Sequence, residues 1–250
     1  MINNNIISVR DLRVQYGDFV LFDNLNFDVK EKDIFIIMGA SGCGKSSLLK
    51  VLTGLVEPIK GNILIDGKEF SVADTNTKNE IMKSCGVMYQ SGALFSSMTL
   101  KENVMMPLEL YSKYSKREIN ELASYKLALV GLGGFDDFYP SQISGGMKKR
   151  AALARALALD AKIVYCDEPS AGLDPVSSKQ LDDLILELNQ TLNTTFVIVT
   201  HELSSIFNIG SNSIFLERSA KNITAFGNPK ELLNNPPNKN IQEFLTRGTK

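Results

Sequence analysis

Residues 34–52 read IFIIMGASGCGKSSLLKVL, and this stretch decides the fold. Ile34 to Met38 form an apolar run that is typical of a buried strand, and Lys45 to Leu52 follow a helical pattern. The residues between them, Gly39 to Ser46, are rich in glycine. The pattern therefore predicts a strand, a turn of the size that holds a phosphate, and a helix.

The turn GASGCGKS matches the phosphate-loop pattern GxxxxGK[ST], whose glycines let backbone N–H groups surround phosphate oxygens. In such a loop Lys45 neutralises phosphate charge and Ser46 ligates Mg²⁺. A dinucleotide fingerprint also starts at Gly42, but Ser47 stands where its third glycine belongs, which argues against a nicotinamide site. The residues of this stretch expected to bind nucleotide are Gly39, Ser41, Gly42, Cys43, Gly44, Lys45, Ser46 and Ser47.

Apolar stretches on both sides of this loop predict an α/β fold. Ile6 to Val14 and Phe19 to Val29 flank a turn signal and are expected to form antiparallel strands. The short apolar runs Ile163 to Cys166, Phe196 to Val199 and Ser213 to Leu216 alternate with helical patterns, which is typical of a mostly parallel sheet.

The middle of the chain has helical periodicity, and we expect a helical subdomain over about 92–158, inserted into the sheet. The predicted domain covers residues 1–234, and residues 235–250 are expected to form a tail with a short helix. The helical stretches of the subdomain are Leu100 to Leu110, Lys116 to Val130 and Gly145 to Leu157.

Composition excludes several classes of protein. The 250 residues are 44% hydrophobic and 22% charged, an ordinary globular balance, and 27 basic against 28 acidic residues give no general attraction for nucleic acid. Three separated cysteines and one histidine leave little for a disulfide framework, a zinc site or a histidine-based triad. Since no apolar run is long enough to span a membrane and no secretory signal is visible, the chain is expected to be cytoplasmic.

A second group of candidate residues follows the predicted strand that starts at Ile163, which ends in Asp167 and Glu168. Beside a phosphate loop, Asp167 can hold Mg²⁺ and Glu168 can orient or deprotonate the attacking water. A third group is Ser144, Gly145 and Gly146, which open a helix and could cradle an anion.

The alternative for this third group is an ordinary helix N-cap with Ser144 as the capping residue. For the basic residues that follow, Lys148, Lys149, Arg150 and Arg155, the interpretation that we favour is a solvated face.

These motifs resemble those of ABC transporter ATPases in order and spacing over nearly the whole chain. They are the phosphate loop, the LSGG-like Ile143 to Met147, the carboxylate strand, SAGLD at Ser170 to Asp174, and His201 after a strand. The resemblance implies an ABC-type fold with ATP and Mg²⁺ as cofactors. It also implies a homodimer, in which the phosphate loop of one subunit and the Ser144 helix end of the other clamp the same nucleotide.

The same resemblance implies roles for further residues. Gln90 looks like the family's glutamine that senses Mg²⁺ and the membrane partner, and Tyr16 would stack on adenine. His201 would contact the γ-phosphate, and Asp174 belongs to the nucleotide site through the SAGLD motif.

The segment YQSGALFSSMTLKENVMMPLEL, Tyr89 to Leu110, is most similar to the ATPases of Mla-type phospholipid transport systems. This implies a membrane permease, a periplasmic lipid-binding component, possible binding of a small accessory protein, and a place on the cytoplasmic face of the inner membrane. An importer ATPase for another small substrate such as amino acids, and a non-transport ABC ATPase, are the alternatives.

In the tail, Ile241, Phe244 and Leu245 recur at helical spacing after Pro236 and Pro237. Their apolar stripe must dock on something, because so short a helix is not stable alone. The resemblance suggests docking across the dimer or onto an accessory protein, and packing on the chain's own domain is the alternative.

Overall fold

The computed structural model describes residues 4–247, which divide into two compact units. The first unit contains the chain up to Met82 and from Thr195 onward, and the second contains Lys83–Thr194. The predicted domain limits, 1–234 with a separate tail, stay a prediction.

The elements follow one another in both units with short connections. The first stretch contains β1 (Asn5–Tyr16), β2 (Phe19–Lys30), β3 (Ile34–Gly39), α1 (Lys45–Leu52), β4 (Lys60–Ile65), β5 (Lys68–Glu69) and α2 (Thr75–Met82). The second unit contains β6 (Cys85–Met88), α3 (Leu100–Tyr111), α4 (Lys116–Leu129), α5 (Gly145–Ala156), β7 (Ile163–Asp167) and α6 (Pro175–Leu192). The chain then returns to the first unit with β8 (Thr195–Val199), α7 (Leu203–Ile209), β9 (Asn212–Glu217), β10 (Asn222–Gly227), α8 (Pro229–Asn234) and α9 (Lys239–Thr246).

An antiparallel sheet in the order β2-β1-β4-β5 forms part of the first unit. The predicted hairpin of β1 and β2 is confirmed, with Gly17 in the left-handed conformation (φ 55°) at its turn. Alternating residues of both strands are buried, which is the pattern of strands with one face against a core.

The remaining strands of the first unit confirm the α/β class. The phosphate-loop strand β3 pairs in parallel with β8 on one side and with β9 on the other, and β10 pairs antiparallel with β9. All residues of β3 and β8 are buried, as expected for strands covered on both faces. Phe27 of β2 stacks on Phe35 of β3 with ring centroids 5.8 Å apart, so the two sheets of this unit share a core.

The second unit combines the parallel pair β6–β7 with helices. Capping boxes fix where two helices begin: Thr99 with Glu102 at α3, and Ser115 with Glu118 at α4. The helices of the predicted helical region are therefore found at nearly the predicted limits. The segment from residue 92 to Thr99 is not helical, because its backbone forms turns before the first capping box.

Helix α9 packs within the first unit, which is the second of the two alternatives for the tail. Ile241, Phe244 and Leu245 are all buried, and the ring of Phe244 meets that of Phe215 edge-on at 5.1 Å. The amide of Asn240 also donates to Glu217 at 2.7 Å. The apolar stripe of α9 is thus covered by its own unit.

No helix in the described part of the chain is long and apolar enough to cross a membrane.

Candidate functional site

The phosphate loop lies between β3 and α1 and has a closely packed backbone. Gly44 has a φ of 104°, and a Cβ at this position would lie 2.5 Å from the ring of Phe22. Gly39 has a φ of 149°, and its Cβ would lie 2.4 Å from the carbonyl oxygen of Leu216. Both positions therefore need glycine for conformation and for space.

Lys45 is 8% exposed and lies over the loop. Its ammonium donates to the carbonyl oxygens of Gly39 at 2.9 Å and of Ala40 at 3.2 Å. Helix α1 has Gly44 at its N-cap without a side-chain cap, and no acidic residue lies in its first turn. The positive end of this helix and the ammonium together favour an anion such as phosphate.

The other loop residues differ in exposure. Ser41, Gly42 and Ser46 are exposed, whereas Ser47 is half-buried and Cys43 is buried. Burial raises the pKa of the Cys43 thiol, so this cysteine is held as the neutral form. A ligand can reach the exposed residues, while Cys43 contributes through its backbone.

Two further predicted site residues lie in the first unit. His201 is exposed and comes shortly after β8, the parallel neighbour of β3, so it and the phosphate loop follow the carboxyl ends of adjacent strands. Its Nε2 lies 3.6 Å from Oε1 of Glu202, and its carbonyl oxygen accepts a hydrogen bond from Arg247 at 3.1 Å. Tyr16, the last residue of β1, is 44% exposed, as an aromatic side chain that stacks on a ligand must be.

In the second unit, Gln90, Asp167 and Glu168 lie at one edge of a sheet. Strands β6 and β7 run in parallel, with Met88 opposite Cys166, and the three residues lie at or just after the carboxyl ends of these strands. The Gln90 side chain is exposed, Asp167 is half-buried and Glu168 is 8% exposed. The two strands therefore bring these three side chains to the same edge.

Glu168 also has an uncommon backbone conformation. Its φ is 48°, in the left-handed region that non-glycine residues seldom adopt. Its carbonyl oxygen accepts from the N–H of Ala171 at 3.1 Å in the turn that follows. This turn directs the chain away from the strand end and leaves the Glu168 side chain there.

The predicted capping role of Ser144 is confirmed. Its hydroxyl accepts from the backbone N–H of Met147 at 3.2 Å, at the start of α5. Ser144 and Gly145 are exposed, Gly146 is half-buried, and the first turn carries no acidic residue. A capped helix start and an anion cradle are compatible here, because the exposed end keeps its positive dipole.

Asp174 caps another helix, α6. Its carboxylate accepts hydrogen bonds from the backbone N–H groups of Val176 and Ser177, each at 3.0 Å. Hydrogen bonds from the hydroxyl and the backbone of Ser177 lower the pKa of Asp174. The structure therefore gives this exposed carboxylate a capping role, and its place in the nucleotide site stays a prediction.

The interpretation of the basic residues of α5 as a solvated face is wrong for two of them. Lys149 is 7% exposed, and its ammonium donates to the carbonyl oxygens of Gln90 and Glu168. Arg155 is half-buried and donates to the carbonyl oxygens of Gly92 and Ala93, each at 2.8 Å. Burial lowers the pKa of both cations.

One signal in the sequence could have revealed Lys149. It stands at helical spacing with Ala152, Leu153 and Ala156, all of them buried, so it lies on the apolar stripe of its helix. A lysine on such a stripe needs polar partners inside the protein.

Comparison with known proteins identifies the family. The family model for ABC transporters matches residues 22–171. The chain is 40% identical over 239 residues to a probable ribonucleotide transport ATP-binding protein of Mycobacterium leprae, Mkl, which covers 96% of this chain and 68% of that protein. The chain thus spans about two thirds of the length of this relative.

Two other similar proteins extend the comparison. The intermembrane phospholipid transport system ATP-binding protein MlaF of Haemophilus influenzae is 38% identical over 231 residues, covering 92% of this chain and 87% of that protein. A solved ATP-binding cassette, a dimer in a post-hydrolysis state bound to ADP and Pi, has a TM-score of 0.77 and 28% identity, and the match covers 88% of this chain and 97% of that one. With its phosphate loop, its strand-end carboxylates and this match over most of its length, the chain belongs to the ABC transporter family and is an ATPase of that family.

Proposed function

We propose that this chain hydrolyses ATP with Mg²⁺ to drive phospholipid transport through a membrane permease. The observation that carries the ATPase part is the phosphate loop, where a buried lysine ammonium is held above a glycine backbone at a helix N-terminus. In this proposal the ammonium of Lys45 exchanges its contacts with Gly39 and Ala40 for phosphate oxygens.

The oxygen donors of the candidate site fit Mg²⁺. Ser46, Gln90 and Asp167 would hold the ion, and they supply a hydroxyl, an amide and one carboxylate. Among residues 4–247 no group of three or more His, Cys, Asp or Glu side chains forms a metal cluster. Mg²⁺ in nucleotide sites is held by few carboxylates together with substrate phosphates, which such a donor set matches. When bound, the ion neutralises charge that develops on the phosphate oxygens.

Glu168 is proposed as the general base. Its buried carboxylate would accept a proton from the water that attacks the γ-phosphate, while His201 would contact that phosphate. Tyr16 would stack on adenine. The left-handed backbone of Glu168 supports this role, because strained conformations persist where the surrounding structure maintains them and they cluster at active sites.

We infer that the chain acts as a homodimer. The exposed start of α5 at Ser144, Gly145 and Gly146 would bind the γ-phosphate of a nucleotide held by the phosphate loop of the partner, and Asp174 would lie in the same shared site. The solved relative that is dimeric with ADP and Pi supports this arrangement.

The transported substrate is proposed to be a phospholipid, moved between the inner and the outer membrane. The similarity to MlaF over 92% of this chain supports this proposal. Mkl, named for ribonucleotide transport, has a similar identity, so an importer ATPase for another small substrate such as amino acids is the second candidate. In the phospholipid system the chain would lie on the cytoplasmic face of the inner membrane, with a permease, a periplasmic lipid-binding component and a small accessory protein as partners.

Replacing the proposed base tests the ATPase mechanism. Glu168→Gln is expected to lower kcat at least 100-fold, since the amide keeps the shape of the side chain but accepts no proton. ATP affinity should change less than about threefold, and the ATP-bound dimer should persist. The measurements are phosphate release, calorimetry and size-exclusion chromatography of the full chain.

A matched control is Glu121→Gln, which changes an exposed carboxylate of α4 that pairs only with Arg117 among the ion pairs of the structure. It should leave turnover unchanged. Turnover of Glu168→Gln within a few-fold of wild type would remove Glu168 as the base. Purification of the complex tests the substrate: a co-purifying amino-acid permease would contradict the lipid assignment and leave the ATPase assignment intact.

A further inference from the structure

A buried lysine connects two residues of the candidate site. Lys149 lies on the second turn of α5, five positions after Ser144, and is 7% exposed. Its ammonium donates to the carbonyl oxygen of Gln90 and, at 3.4 Å, to that of Glu168. One cation thus contacts the backbone of the proposed base and of the residue proposed to sense Mg²⁺.

The contact with Glu168 acts where the backbone is strained. The carbonyl oxygen of this left-handed residue accepts from only two donors given by the structure, the N–H of Ala171 and the ammonium of Lys149. These donors fix the orientation of the peptide plane that follows Glu168. A change in that plane would rotate the Cα–Cβ bond and move the carboxylate.

The loop that begins at Gln90 is held by the same helix a second time. Arg155 donates to the carbonyl oxygens of Gly92 and Ala93, whose φ values of 76° and 49° are both left-handed. Helix α5 therefore grips this loop with two cations, one near each end of the helix. The loop cannot shift relative to α5 unless these hydrogen bonds break.

We propose that Lys149 is a positioning residue for ATP hydrolysis, which ties the backbones of Glu168 and Gln90 to the helix that begins at Ser144. Docking of the partner's nucleotide at the start of α5 is thereby coupled to the placement of both side chains in the same subunit. This inference rests on the proposed roles of Glu168, Gln90 and Ser144. It adds a residue that acts through the main chain and contacts no substrate.

The test compares two buried lysines of the same unit. Lys149→Met removes the connecting ammonium, and Lys126→Met removes the ammonium that pairs with Asp160 at 2.6 Å and has a side chain 4% exposed. Both variants lose a buried cation, so both should melt at lower temperature than wild type. Only Lys149→Met is expected to lower kcat, by about 30-fold or more, with ATP affinity changed less than about threefold.

A conservative variant separates position from folding. Lys149→Arg keeps a cation that can donate to both carbonyl oxygens and should restore turnover to within about fivefold of wild type. If Lys149→Met loses no more turnover than Lys126→Met, or if folded Lys149→Arg is as slow as Lys149→Met, the proposal is overturned.

A double-mutant cycle tests whether Lys149 acts through Glu168. In a Glu168→Gln background, adding Lys149→Met should lower the residual single-turnover rate less than about threefold, because the base that it positions is already gone. A full further 30-fold loss would contradict the proposal. Near wild-type turnover of Glu168→Gln alone would instead overturn the proposed base, so the two failures are distinguishable.

Discussion

Two lysines of the candidate site have nearly the same burial and the same kind of partners, yet they are placed differently in the chain. Lys45 is 8% and Lys149 is 7% exposed, and each donates to two backbone carbonyl oxygens. The partners of Lys45 lie six and five residues away in its own loop. Those of Lys149 lie 59 and 19 residues away, after two different strands.

The difference in sequence separation teaches what each cation can do. Lys45 can leave Gly39 and Ala40 and move to a phosphate without separating distant parts of the fold. Lys149 cannot leave Gln90 and Glu168 without leaving two buried carbonyl oxygens short of a donor, which is costly in a low-dielectric interior. The first lysine is therefore suited to binding a ligand, and the second to holding the site together.

Removing the ligand-binding lysine should have the largest effect. Lys45→Ala deletes the positive side chain of the phosphate cradle, and the loss of charge-assisted hydrogen bonds costs about 2 to 3 kcal/mol, or roughly 30- to 150-fold in the Kd for ATP. Calorimetry with the isolated chain measures this. Lys50→Ala, at an exposed lysine of the same helix, is the control and should bind normally. Equal affinity of the two variants would end the contrast between Lys45 and Lys149.

A change at the start of α5 should affect assembly and spare binding. Ser144→Arg places a long cation at the exposed helix end that is proposed to serve the partner's nucleotide. The affinity of the monomer for ATP should stay within about twofold, while the ATP-dependent dimer of the Glu168→Gln background should disappear on size-exclusion chromatography. Ser219→Arg adds the same charge at an exposed serine of the first unit and should dimerise normally. Weakened binding by monomeric Ser144→Arg would place this helix end in the site of its own subunit.

The contrast between the two lysines also explains what could be predicted from sequence. The phosphate loop is local: eight consecutive residues supply its glycines, its lysine and its serine, so the motif alone predicts it. The strand-end carboxylates were likewise predictable, because apolar runs define where β7 ends. The partners of Lys149 are main-chain carbonyls, which carry no sequence signature, and only the fold brings them to α5.

The fold shows the same division between local and distant information. Long periodic elements such as α4 were predicted within one residue of their ends. The helix α2, with sequence TNTKNEIM, and the two-residue strand β5 were missed. Each is short and largely polar, so its conformation depends on neighbours rather than on its own pattern.

The smallest effect is expected at a third cation that donates to the backbone of a candidate site residue. Arg247 donates to the carbonyl oxygen of His201 at 3.1 Å, as Lys149 does to that of Glu168, but it is exposed, and its guanidinium lies 4.2 Å from the ring centroid of Phe244. Because water can replace an exposed donor, Arg247→Ala should cost about 0.5 kcal/mol, or roughly twofold in kcat at 25 °C. Lys239→Ala, which removes an exposed cation of the same helix, should leave turnover unchanged. A tenfold loss in Arg247→Ala with an unchanged melting temperature would show that burial is not what distinguishes Lys149, and that α9 also positions the site through His201.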